Sequence, residues 1–224
     1  KPGEVYKADY LAIPCVCDWD GDGDPDLLAG GFVTGRIFLF ENGGNRPDGT
    51  PELKARGPLR SAGKPIDTGW AAAPVAVDLD HDGDLDLICG AKPMTADGGD
   101  TSDKNGNLLY FKNVGTRRHP KLEQHPFPRN APPPTGTTVM APACDWNGDN
   151  LPDLLLVTRG SMPLYPIPNI GTRDRPRFDM KRRSIPAIWN HQQIPAGTFA
   201  DWNHDGFPDV INRFQVTLND GLGF

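Results

Sequence analysis

No apolar run in this 224-residue chain approaches the length, about 18 residues, that a membrane-crossing helix needs. Cysteine is scarce, with four in all, and no CxxC or Cys/His spacing marks a zinc site. No stripe of basic residues interleaves with aromatics, which argues against a nucleic-acid surface. HExxH, GxSxG and a phosphate-cradling glycine loop are all missing, so no catalytic residue is assigned. Neither an initiator methionine nor a signal-peptide pattern stands at Lys1, as expected of a mature or excised piece. What the chain has in quantity is turn formers. It carries 26 glycines and 24 prolines against 37% hydrophobic residues, a composition that suits short strands and many turns.

The organising stretch is acidic and occurs four times. Asp18 to Asp26 reads DWDGDGDPD, Asp78 to Asp86 DLDHDGDLD, Asp145 to Asp153 DWNGDNLPD and Asp201 to Asp209 DWNHDGFPD. The first aspartates lie 60, 67 and 56 residues apart, an internal repeat with a variable spacer. Carboxylates or amides at positions 1, 3, 5 and 9, with a backbone carbonyl at 7, make an all-oxygen donor set of the kind Ca²⁺ takes. Without a cation the carboxylates would repel one another. Position 6 needs a turn with positive φ, which Gly23, Gly83 and Gly206 supply and Asn150 tolerates. An EF-hand would carry a Glu at position 12, but Ala29, Cys89, Leu156 and Asn212 stand there, so the ninth-position aspartates must close each site.

The expected ligands are therefore Asp18, Asp20, Asp22, Asp24 and Asp26 in loop one, and Asp78, Asp80, Asp82, Asp84 and Asp86 in loop two. In loop three they are Asp145, Asn147, Asp149, Leu151 and Asp153; in loop four, Asp201, Asn203, Asp205, Phe207 and Asp209. The seventh-position residues would serve through their carbonyls. About four Ca²⁺ are implied, one per loop. Fourteen of the 29 acidic residues occupy the side-chain ligand positions, so the net charge of −6 is largely a metal-site charge. Asn147 and Asn203 each remove one negative charge, which predicts weaker binding in loops three and four.

Apolar runs too short for helices follow each loop: Leu27 to Ala29, Leu85 to Ile88, Leu154 to Val157 and Val210 to Ile211. Second strands beginning at Gly35, Gly106, Pro163 and Phe214 end in Asn-x-Gly at Asn42, Asn113, Asn169 and Asn219. In three copies a proline and an apolar residue then open an outer strand, at Pro51, Pro120 and Pro176. Inner strands precede the loops at Leu11 to Cys17, Ala71 to Val77, Thr138 to Cys144 and Pro195 to Ala200.

With loop and strands together, the chain resembles the FG-GAP/VCBS repeat family, whose calcium-loop propeller blades also occur in integrin α-chain heads. The resemblance implies an all-β fold, a β-propeller of four-stranded antiparallel blades, with each acidic loop joining the innermost strand to the second. Four blades are expected in one domain spanning residues 1–224, at approximately 10–60, 69–127, 137–183 and 194–224, with residues 1–9 as a candidate ring-closing outer strand. Either a four-bladed ring or part of a larger propeller fits that count.

Outside the loops the signals are weaker. Trp70, Trp189, His191, Arg159 and Arg213 are candidates for a ligand face; Trp70 and Trp189 lie in connections leading toward inner strands, which the resemblance implies face away from the calcium loops. Trp19, Trp146 and Trp202 follow the first aspartate of their loops, a position favouring packing between repeats over sugar stacking. His81 and His204, at position 4, read as surface residues. Cys15, Cys17, Cys89 and Cys144 sit at small apolar strand positions and read as buried free thiols. Residues 92–106, with Asp97, Asp100 and Asp103, read as a polar insertion, and 127–136 as a stiff proline-rich connector.

The expected function is a calcium-stabilised binding or interaction module for glycans or protein partners. No nucleic acid and no membrane span enter that reading. Loops of this kind fill at calcium levels above those of resting cytosol, which points to an extracellular, cell-surface or periplasmic setting. The alternative is a polysaccharide lyase-like carbohydrate-active enzyme or a non-catalytic domain of one, since related propellers occur in such enzymes.

Overall fold

The computed structural model describes residues 12–91, 107–130, 137–138, 143–158, 164–181, 197–212 and 216–221, and every regular element among them is a strand. The chain divides into two compact units. The first takes Lys1–Asp78, Asp82–Asp103 and Asn107–Phe127, and the second Leu79–His81, Lys104–Gly106 and Pro128–Phe224.

The first unit begins with β1 (Ala12–Cys17), β2 (Asp26–Gly31), β3 (Ile37–Asn45) and β4 (Pro51–Pro58), which pair antiparallel in sequence order. Side chains alternate along β1: Ile13, Cys15 and Cys17 are half-buried, while Ala12, Pro14 and Val16 are exposed. Beside it, β2 is a central strand covered on both faces, which explains its unbroken Leu27-Leu28-Ala29 run.

The next sheet contains β5 (Arg60–Ser61), β6 (Lys64–Pro65), β7 (Ala73–Val77), β8 (Asp86–Ala91), β9 (Asn107–Asn113) and β10 (Leu122–His125), in the order β6-β5-β10-β9-β8-β7. It has six strands where four are expected. The segment leaving β4 folds into the β5–β6 hairpin and lies parallel to β10 through Leu122 and Ser61. That covers the N–H and C=O groups an outer strand would otherwise leave unpaired. Trp19, Leu28, Ile37, Leu87, Phe111 and Leu122 share one core, so the first two sheets pack face to face.

In the second unit β11 (Thr137–Thr138) and β12 (Ala143–Cys144) both pair with β13 (Asp153–Thr158), whose other edge takes β14 (Leu164–Ile167). The outer strand expected at Pro176 to Phe178 is reduced to two isolated bridges at Phe178, one to Asn169 and one to Arg129. Pro166, Pro168 and Pro176 lack the N–H groups a longer ladder would need. The last sheet has three strands, β15 (Gly197–Ala200), β16 (Asp209–Asn212) and β17 (Val216–Thr217). Leu154, Leu155, Leu156, Ile167 and Phe178 are fully buried in this unit. Residues 1–11, the 92–106 insertion and 131–136 lie outside the described residues.

Candidate metal centre

All four acidic loops are bracketed identically. The residue before position 1 pairs with position 9: Cys17 with Asp26, Val77 with Asp86, Cys144 with Asp153 and Ala200 with Asp209. Each loop thus joins two adjacent antiparallel strands (β1 and β2, β7 and β8, β12 and β13, β15 and β16), with the ninth aspartate starting the second of the pair. Position 6 has positive φ throughout, at 97° in Gly23, 93° in Gly83, 64° in Asn150 and 94° in Gly206. Position 4 does too, at 71° in Gly21, 56° in His81, 78° in Gly148 and 61° in His204. The sequence analysis singled out only position 6. The two left-handed residues turn successive N–H groups inward onto the first carboxylate. In loop two, for example, Asp82 and Gly83 donate from their backbones to Asp78, both at 3.1 Å.

In loops one and two this turning gathers carboxylates. Asp18, Asp20 and Asp22, and likewise Asp78, Asp80 and Asp82, each offer an oxygen within 4.8 Å of the others. Such a cluster could hold a metal ion. Asp18 Oδ1 is buried and accepts no hydrogen bond from the protein, although a buried acceptor normally has a partner. Burial holds the Asp20 carboxyl above the usual carboxylate range, and repulsion from Asp22 and Asp26 adds to the effect. A bound cation would relieve both. Loops three and four differ. Asn147 Nδ2 donates to Asp149 at 2.9 Å and Asn203 Nδ2 to Asp205 at 2.8 Å, so an amide proton already occupies the position-5 carboxylate.

The ninth aspartates are nearly inaccessible, from 0% exposed at Asp86, Asp153 and Asp209 to 1% at Asp26. Each ties the loop to the end of the third strand. Asp26 accepts from Trp19 N at 2.8 Å and Asn42 N at 2.7 Å. Asp153 accepts from Trp146 N at 3.0 Å and Asn169 N at 2.7 Å, and Asp209 from Trp202 N and Asn219 N, both at 2.8 Å. Asp86 takes Asn113 N at 2.8 Å and the Tyr110 hydroxyl at 2.9 Å. The asparagines read as turn formers are therefore also buried junctions. Asn113 Oδ1, for instance, accepts from Gly115 N at 3.0 Å and Lys121 N at 2.9 Å. The Asn-x-Gly that recurs after each loop was the signal available in the sequence, although it lies 10 to 27 residues beyond the ninth aspartate.

One side chain joins loops one and two. Arg117 Nη2 donates to the Asp18 carbonyl at 3.0 Å and lies 3.6 Å from the Asp18 carboxylate, while Nη1 donates to the Gly83 carbonyl at 3.2 Å. A Cβ at Gly21 would fall onto the Arg117 side chain. Gly21→Ala is expected to lower stability by about 1–2 kcal/mol from the left-handed backbone alone, with more from displacing Arg117. Chemical denaturation would detect it, and an unchanged midpoint would rule out this packing.

Among the other candidates, Trp70 packs against Phe32 with ring centroids 4.4 Å apart and the planes tilted by 53°. Trp189, His191, Arg159 and Arg213 lie outside the described residues, as do Asp97, Asp100 and Asp103. Trp19 and Trp146 are both 3% exposed and Leu79 is fully buried, in keeping with packing, whereas Trp202 is 63% exposed. His81 and His204 are exposed. All four cysteines are free; Cys89 is buried and the other three are half-buried. Burial pushes the Cys89 and Cys144 thiols up to about 12, which keeps both protonated at neutral pH.

The search of curated proteins returned no match. A profile of the FG-GAP-like repeat matches residues 18–89 and 145–211, so both matched segments begin on the first aspartate of a loop. On that match, over more than half of its residues, the chain belongs to the FG-GAP-like repeat family.

Proposed function

We propose that the chain is a β-propeller module that binds Ca²⁺ in its acidic loops and, so stiffened, presents a surface to a glycan or protein partner outside the cytoplasm. The observation that carries this is the pair of carboxylate triads, one of them containing the partnerless buried oxygen of Asp18. The donor set is entirely oxygen and sits on an irregular loop. That favours Ca²⁺, which tolerates variable geometry, over Mg²⁺, which demands a tight octahedron. Loops three and four would bind more weakly because their amide protons must first release the position-5 carboxylates. An acidic loop joining two adjacent antiparallel strands in each of the four sheets supports the blade reading.

Calorimetric titration of Ca²⁺ into chelator-treated protein tests the metal. Two tighter sites and two weaker ones are expected, with one tighter site lost in Asp18→Asn/Asp20→Asn. No saturable heat at millimolar Ca²⁺, or equal affinity for Mg²⁺, would overturn the assignment. Glycan and protein arrays probed in calcium then test the surface, and no reproducible binder on either would sink the interaction-module reading.

A further inference from the structure

A cleft of about 310 Å³ opens in the first unit, where β4 and the segment after it face the turn between β9 and β10. Pro58 and Leu59 lie on one side and Pro120 on the other, within a lining that is more polar than apolar. Three arginines line it: Arg56, Arg60 and Arg118. Two carboxylates, Asp20 and Glu41, line it as well.

These charges are not equally committed. Arg56 is locked to Glu41 through two contacts, Nε to Oε2 at 3.0 Å and Nη2 to Oε1. Arg60 uses Nη1 on the Gly63 carbonyl at 2.9 Å and pairs with no carboxylate among the described residues. Arg118 is exposed and pairs with none there either. Its backbone is nonetheless held firmly. The Thr116–His119 turn is closed by a bridge, and the neighbouring Arg117 is anchored on the Asp18 and Gly83 carbonyls. Two uncommitted guanidinium groups, one of them on a fixed turn, therefore line a mostly polar cleft that also holds Pro58, Leu59 and Pro120. Guanidinium forks suit carboxylates, and arginine clusters recognise acidic motifs. Trp19 lines the cleft but is only 3% exposed, so it offers no ring face for a sugar.

We propose that this cleft binds an acidic peptide segment, with a ligand carboxylate on Arg60 and Arg118 and an adjacent apolar side chain between Pro58 and Pro120. The proposal deepens the interaction-module reading and rests on it. Asp20 belongs to loop one and also lines the cleft, so a cation in that loop would offset its charge and strengthen binding of an anion.

The test is fluorescence polarisation with a labelled peptide of alternating aspartate and leucine, against a matched peptide with lysine for aspartate and a heparin-derived tetrasaccharide. Saturable binding of the acidic peptide is expected, weakened about tenfold or more, or roughly 1.4 kcal/mol, in Arg60→Ala/Arg118→Ala. Both side chains are exposed, so the melting temperature of that variant should match the parent and separate lost binding from lost folding. Equal binding of the lysine peptide, or an acidic-peptide affinity indifferent to the double substitution, overturns the proposal. Binding of the tetrasaccharide alone overturns it in favour of an anionic glycan. Calcium heats in the parent titration with no peptide binding would sink the cleft and spare the metal sites; peptide binding without calcium heats would do the reverse.

Discussion

Removing calcium is expected to lower the melting temperature of this chain by about 10–20 °C. A ligand that binds only the folded state stabilises it by about 2.7 kcal/mol per site when present at a hundredfold its dissociation constant. For extracellular-type sites with constants near ~10⁻⁴ M, ~10 mM calcium meets that condition. Loops one and two, with full carboxylate triads, then contribute about 5 kcal/mol together. In a protein of this size each kcal/mol moves the midpoint by roughly 2–4 °C. The measurement is a pair of melts, one in ~10 mM calcium and one in excess EDTA. Asp18→Asn/Asp78→Asn should abolish most of the difference, because both substitutions fall in the triads. Identical melts in the two buffers would mean that backbone N–H groups, such as Gly23 N on Asp18 and Gly83 N on Asp78, satisfy the loops without a metal.

The loops were legible in the sequence because the same acidic nine-residue pattern, with its residue types at fixed positions, recurs four times. The strands were legible for a related reason. Runs such as Leu154 to Val157 are too short for a helix, and they appear as strand β13. What the sequence hid was contact between distant segments. Nothing local marks Ser61 as joining the second sheet, because its partner there is Leu122 in another repeat. Nothing local distinguishes Gly21 from His81 at position 4; the reason is Arg117, which packs where a Cβ at Gly21 would point. Trp202 matches Trp146 in sequence context, yet one is 63% exposed and the other 3%. Burial of that residue depends on what packs over it, which the nine-residue motif does not encode.

Asp153→Ala should be the most damaging single substitution in the second unit. The carboxylate is fully buried and accepts from Trp146 N and Asn169 N. Alanine strands both donors, at about 1–3 kcal/mol each, or about 2–6 kcal/mol in total, and lowers the melting temperature by roughly 5–20 °C. Asp153→Asn separates charge from hydrogen bonding. Burial pushes the Asp153 carboxyl up to about 7, outweighing the two N–H groups that favour its charged form. Because that value is raised above the unfolded one, the folded chain binds more protons between about pH 4 and pH 7. Metal-free protein should therefore lose stability as pH rises through that interval and level off above it. Asp26, also raised by burial, adds to the slope. Asn cannot titrate, so Asp153→Asn should flatten the slope without removing it, while costing something at low pH, where its NH₂ group opposes a backbone donor. Melts in EDTA across that interval, compared between the parent and Asp153→Asn, measure the effect. Parallel curves would show that the buried carboxylate is already ionised without metal, held by its two N–H donors against the cost of burial.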